Sequence, residues 1–161
     1  MTHYRDHGAI GALLDEYERA VDELREVIAE ISDEELVQIV DPTTTDSDCR
    51  SVQTILTHVI RAGYCYVIYM RNSLGEDLDF VERELLPTVA DYERELKKMF
   101  QYSVDFFTDY PNVPLETFDP AQKILVRWGQ RYDVEQLFEH AIVHILRHRR
   151  QIERFLLRLR T

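Results

Sequence analysis

The sequence predicts an all-α protein, a four-helix bundle with a short extra helix and an irregular or hairpin segment before its last helix. Apolar residues recur at three- and four-residue steps along most of the 161-residue chain, which is the period of an amphipathic helix. The chain contains only five glycines and five prolines, so long regular elements meet few interruptions. The connections between the periodic stretches are modest in length, as in a helix bundle.

The first long helix and the short extra helix are predicted near the N-terminus. Apolar residues from Ile10 to Ile31 follow the helical period, and charged residues fill the opposite face. Ser32 is a suitable cap for the short helix, because Glu35 stands three residues later as its capping-box partner. The polar, proline-containing stretch DPTTTDSDC then ends this helix.

Two more long helices follow. Ser51 is a good N-cap for the stretch VQTILTHVIRAGYCYVIYMRNSLG, and Gly75 is placed to end it. This helix is apolar on almost every side, so we expect it to lie between other helices rather than on the surface. The next helix follows Pro87, where a proline is tolerated because the first helical N–H has no partner.

The segment from Pro111 to Tyr132 contains three prolines, which exclude a continuous helix. Its stretch KILVRWGQRY alternates well enough to predict a brief extended segment or hairpin around Gly129. Asp133 caps the last helix, with Gln136 at the capping-box position, and that helix continues to the end of the chain.

The composition is that of one globular domain spanning residues 1–161. A net charge of −11 disfavours nucleic acid and anionic membrane surfaces as partners, because both would repel the protein. Cys49 and Cys65 are too few for a disulfide framework and form no CxxC pair. Without a recognisable secretory signal or a membrane-spanning run, we expect a cytoplasmic protein.

Three of the six histidines repeat every four positions in the stretch HAIVHILRHRRQ, at His140, His144 and His148. Residues four apart share one helix face, so two imidazoles can bind one cation, each nitrogen at roughly 2.0–2.1 Å. The face that carries His144 and His148 continues through apolar residues and is expected to point at the core. The candidate third ligand is His58, in the most apolar helix. Two alternatives exist. His58 could be a core histidine whose ring nitrogens are hydrogen-bonded, and the triplet could lie on a solvated helix end.

The stretches SVQTILTHVIRAG and LFEHAIVHILRHRRQIERFL together resemble the DinB-like superfamily, which is distinct from the DNA polymerase that shares the name. Its late motif reads roughly His-x-x-x-His-x-x-x-His-Arg-Gly-Gln-Ile. The resemblance implies a DinB-like four-helix bundle whose divalent metal is held by His58, His144 and His148, with His140 one turn further out. Relatives include bacillithiol and mycothiol S-transferases and mycothiol-dependent maleylpyruvate isomerases. By the resemblance alone, dimerisation through the long helices is expected.

The chain departs from that family pattern at two places. Arg150 stands where the family usually has glycine, which bears on packing and dimer contacts beside the site. The tryptophan often found just before the second long helix is absent, since Arg50 and Ser51 stand there instead, which bears on the substrate.

A site of three neutral histidines leaves a divalent ion with its full charge and an open position. Such an ion can lower the pKa of a water toward about 7, or activate a thiol. We therefore expect a metal-dependent enzyme with a small-molecule substrate, either a thiol S-transferase or a hydrolase, using zinc or nickel. The resemblance favours a low-molecular-weight thiol as co-substrate. The alternative is a non-catalytic stress-response bundle, with a structural metal site or a buried histidine network.

The remaining site residues have open roles in the sequence. No glutamate like that of the HExxH motif is present, so His140 is a candidate proton relay, a partner of a ligand, or an alternative ligand. Six arginines fall in the last fifteen residues, where they favour the helix dipole and can pair with the acidic first helix. The sharper interpretation is an anion pocket that uses Arg147 or Arg149. Trp128 either lines the cleft or only packs against neighbouring side chains.

Overall fold

The structure is a computed structural model that describes residues 4–161. Within them, the main elements are α1 (Gly8–Ile28), α2 (Asp33–Val37), α3 (Val52–Ser73), α4 (Val89–Asp109), β1 (Ile124–Leu125), β2 (Arg131–Tyr132) and α5 (Val134–Leu159). Two short 3-10 turns, Ser47–Cys49 and Pro120–Gln122, lie in the connections. The protein is all-α apart from one small hairpin, as the helical periodicity predicts.

The four long helices enclose one hydrophobic core. Helix α1 packs against α4 and α5, and α3 packs against the same two helices. Each long helix contributes side chains that are excluded from solvent, such as Leu24, Ile55, Leu96 and Phe138. At the contact of α3 with α4, Gly63 lies so close to Met99 that an added Cβ would overlap the sulfur.

The predicted helix caps are confirmed. The Ser32 hydroxyl accepts a hydrogen bond from the Glu35 amide, and the Glu35 carboxylate accepts one from the Ser32 amide. Asp133 and Gln136 form the same reciprocal pair at the start of α5. The Ser51 hydroxyl caps α3, as expected. Each pair satisfies amides that the first helical turn leaves without a partner.

Two helix boundaries differ in detail from the prediction. Helix α1 ends at Ile28, and Ile31 is buried beyond that end rather than within the helix. Helix α4 begins at Val89, because the Thr88 hydroxyl accepts a hydrogen bond from the Asp91 amide and so caps it. Beyond the end of α1, burial of the apolar Ile31 side chain continues where the helical hydrogen bonds do not.

The predicted hairpin is present, and it lies against α3. Strands β1 and β2 are antiparallel, and the turn between them includes Gly129 at a φ of 86°, a conformation that glycine adopts without strain. The Arg127 amide donates a hydrogen bond of 3.0 Å to the Tyr69 hydroxyl of α3. This contact places the turn residue Trp128 beside the face of α3 that carries His58. Across residues 4–161, every helix is too short or too polar to cross a lipid bilayer.

Candidate metal centre

Three histidines from two packed helices come together in one cluster. His58 lies in the middle of α3, and His144 and His148 lie one turn apart on α5. One ring nitrogen from each lies within 4.8 Å of the others, close enough to hold a metal ion. His148 is buried, while His58 and His144 are partly exposed. The three residues expected to share an ion are therefore brought together.

The nearest pair of nitrogens has a spacing that is compatible with a shared ion. Nε2 of His58 lies 2.9 Å from Nε2 of His144. Two nitrogens bound at about 2.0–2.1 Å and at right angles to each other would be about 2.9 Å apart. The donor set of three imidazoles also suits zinc, nickel and related divalent ions.

Two outer residues orient the ligand rings. The Asp48 carboxylate lies 3.3 Å from Nδ1 of His58 and also 3.3 Å from Nε of Arg83. The Gln151 side-chain oxygen accepts a hydrogen bond of 3.0 Å from Nδ1 of His148. An oxygen beside Nδ1 favours the tautomer that carries its proton on Nδ1, so Nε2 keeps a lone pair that can bind a metal. Metal-binding histidines usually have an oxygen partner of this kind.

Sequence reasoning missed both outer residues. Gln151 could have been found, because it stands three residues after His148 and therefore on the same helix face. Asp48 carries no such signal, since it belongs to the irregular DPTTTDSDC stretch, which appeared only to end a helix.

Burial keeps the imidazoles of α5 in the form that binds metals. Burial, and next the neighbouring histidines, lower the pKa of His144 to about 2. Burial and the nearby His58 lower the pKa of His148 to about 4. Both rings are therefore neutral at neutral pH, and neutral imidazole is the state that donates a lone pair to a metal.

A cavity of about 290 Å³ opens beside His58 and His144. Its wall is largely aromatic and also carries two arginines; the residues concerned are Arg61, Tyr66, Tyr69, Phe80, Arg127 and Trp128. Trp128 thus lines the cleft, one of its two expected roles. Its ring stacks on His140, with centroids 5.6 Å apart and planes 25° from parallel.

His140 lies beside the cluster rather than in it. Its ring centroid is 6.2 Å from that of His144. The Tyr132 hydroxyl donates to the Gln130 side chain, so its oxygen can accept from Nδ1 of His140, which lies 3.4 Å away. Burial, with a smaller effect of Arg147, lowers the pKa of His140. A neutral ring with its proton on Nδ1 leaves Nε2 as a proton acceptor, and His140 is one of the residues that line the cavity.

The two arginines proposed for an anion pocket have different surroundings. Arg147 lines a second cavity, of about 310 Å³, on the Gln151 side of the cluster. Arg149 instead forms ion pairs with Glu23 of α1 and Glu153 of α5. It lines neither this cavity nor the aromatic one. Of the two arginines, only Arg147 lines one of these two cavities, whereas the charge of Arg149 is satisfied against α1.

A scan of the chain against models of known protein families found no match, and neither did a search of curated proteins. Assignment of this site thus relies on its own residues and geometry.

Proposed function

We propose that this chain is a DinB-like four-helix bundle that binds a zinc or nickel ion through His58, His144 and His148 and acts as a thiol S-transferase. The observation that carries the proposal is the convergence of three imidazole nitrogens next to an open cavity. Outer oxygens on Asp48 and Gln151 orient two of the rings, which supports binding of an ion rather than chance proximity.

A divalent ion supplies Lewis acidity, which lowers the pKa of a thiol or a water that reaches it. The surrounding side chains then define what reaches it. The aromatic wall formed by Tyr66, Tyr69 and Trp128 offers flat apolar surfaces to a substrate. His140 lines the same cavity, and we assign to it the role of accepting the proton that an incoming thiol releases.

The family resemblance favours a thiol over water, and the composition of the cavity wall is compatible with that choice. Among the described residues that line it, none is an aspartate or glutamate, so a carboxylate general base for hydrolysis is missing there. The protein also has no activated thiol of its own, since burial raises the pKa of both Cys49 and Cys65. The nucleophile would therefore be a small-molecule thiol.

Metal content of the untagged protein tests the first half of the proposal. We expect about one zinc or nickel ion per chain, since three imidazoles form one site. His58→Ala and His144→Ala should each abolish it, and His7→Ala, at a histidine outside the cluster, should not. A wild type that takes up neither metal would refute the site.

Thiol transfer tests the second half. Metal-loaded protein is mixed with a low-molecular-weight thiol and a chromogenic aryl halide, and the rate of thioether formation is compared with that of the metal-free protein. We expect transfer that depends on the metal and is lost in His144→Ala. Stoichiometric metal without any transfer would favour a structural metal site.

The second candidate function is a non-catalytic bundle whose histidines form a buried network. The 2.9 Å between the Nε2 atoms of His58 and His144 also fits a hydrogen bond from one ring to the other. That arrangement predicts a stable protein that remains folded without metal and gains no stability when zinc is added.

A further inference from the structure

Four arginines of α5 line one cavity that lies outside the aromatic cleft. The cavity has a volume of about 310 Å³ and is also lined by Asp41 and Cys49, from the segment before α3. The four, called here the arginine row, are Arg147, Arg150, Arg154 and Arg158. The cavity touches the histidine cluster only through Gln151.

The arginine row is unpaired. Across residues 4–161, no member forms a salt bridge with a carboxylate, although the chain has 30 acidic residues against 19 basic ones. The other two arginines in the last fifteen residues do pair, Arg149 of α5 with Glu23 and Arg160, which follows α5, with Glu35. Shortage of acidic partners therefore does not account for the free charges.

Helix electrostatics does not account for the row either. The favourable effect of the helix dipole is confined to the last turn, and of the row only Arg158 is in that turn. Arg150, Arg154 and Arg158 follow one another at steps of four, so their like charges face each other and repel. Such a row destabilises the empty helix, and an anion bound across it would remove that repulsion.

We propose that the arginine row is an oxyanion-binding site for a ligand that carries two or more phosphate or carboxylate groups. The planar guanidinium fork matches both groups through paired hydrogen bonds. From Arg147 to Arg158 the row spans about 16 Å at 1.5 Å per residue, too far for one small anion to contact every member. A ligand with two or more anionic groups would therefore contact two or three neighbouring members rather than the whole row.

The position of Asp41 indicates which end of the row the ligand occupies. Hydrogen bonds from Thr43, and next from Thr44, favour the ionised Asp41 and lower its pKa, and Arg158 adds to this effect. A negative carboxylate beside Arg158 disfavours a second anion there. The ligand therefore binds mainly through Arg147, Arg150 and Arg154, at the end nearer Gln151.

The test is calorimetric titration of the untagged, metal-free full chain with sodium pyrophosphate and, separately, with citrate. Metal-free protein is used because both probes chelate metals. We expect saturable binding of at least one probe that weakens as salt is added. Binding of pyrophosphate alone assigns a phosphate ligand, and binding of citrate alone a carboxylate ligand. Absence of saturable binding of either probe would overturn the proposal.

Two double variants separate the row from general charge effects. Arg150→Gln with Arg154→Gln should weaken binding at least about tenfold, since charge-assisted hydrogen bonds are lost. Arg94→Gln with Arg131→Gln removes the same charge from exposed positions outside the cavity and should leave binding unchanged. Equal binding by wild type and the row variant would contradict the site. Relief of repulsion predicts that the row variant melts no lower than wild type, so misfolding would be recognised.

This proposal is independent of the metal. His144→Ala should lose the metal and keep the anion site, because its side chain does not line the second cavity. Failure of metal binding with retained anion binding, or the reverse, therefore distinguishes the two proposals.

Discussion

Removal of the Asp48 charge should weaken metal binding without removing a ligand. The carboxylate lies 3.3 Å from Nδ1 of His58 and orients that ring with Nε2 toward the cluster. Loss of an outer partner typically costs 10–100-fold in metal affinity. The side chains of His58 and Asp48 are 34% and 27% exposed, so solvent screens the interaction and the lower end applies. We expect Asp48→Asn to weaken zinc binding about tenfold, or about 1.4 kcal/mol.

Competition titration with a chromophoric zinc chelator measures this affinity directly. Asp79→Asn is the matched control, because it removes the same charge from an exposed residue outside the cluster. His58→Ala sets the scale for complete loss of a ligand. If Asp48→Asn and Asp79→Asn bind zinc equally well while His58→Ala does not bind it, Asp48 does not orient the ligand and the argument from outer partners fails.

The remaining predictions concern the packing, the cap of α5 and the cavity. Gly63→Ala should lower the free energy of unfolding by up to about 2 kcal/mol, as measured by urea titration. Overlap of the new methyl group with Met99 costs about 1–3 kcal/mol, and the higher helix propensity of alanine offsets only about 1 kcal/mol of this. A variant as stable as wild type would contradict the close packing. Burial acts to raise the pKa of Asp133, but the helix amide that it caps and the Lys123 ammonium outweigh burial and lower it. The ionised carboxylate therefore stabilises the fold above its unfolded pKa of about 3.9, and this contribution is lost as pH falls through the lower folded pKa. Asp133→Asn keeps a side chain that can cap the helix but removes the charge. Its free energy of unfolding should therefore lie below that of wild type at neutral pH and converge with it in acid. If the two free energies differ by the same amount at every pH, the charge of Asp133 does not stabilise the fold. Trp128→Ala should leave the metal content unchanged and raise the KM for thiol transfer, since the ring walls the cavity and stacks on His140; loss of metal would instead assign Trp128 to the support of the cluster.

The local elements and two of the three histidines of the metal cluster were predictable from sequence spacing. Helical period located the long helices, and the capping pairs of Ser32 and Asp133 located the starts of α2 and α5, because such signals involve residues only three or four apart. The step from His144 to His148 placed two imidazoles on one face for the same reason. His58 was a candidate third ligand because it lies in the most apolar helix, and the family resemblance added the expectation that it shares an ion with the other two.

Only the tertiary structure decided which distant side chains meet. Asp48 reaches His58 because an irregular segment folds back against α3, and no periodicity encodes that path. Arg147 and Arg149 stand two residues apart and look alike in the sequence, yet one lines a cavity and the other pairs with Glu23. Residues two apart on a helix point in nearly opposite directions, so their roles depend on where α1 packs. Short-range spacing determines the elements and their faces, whereas the packing of whole helices determines what each face contacts.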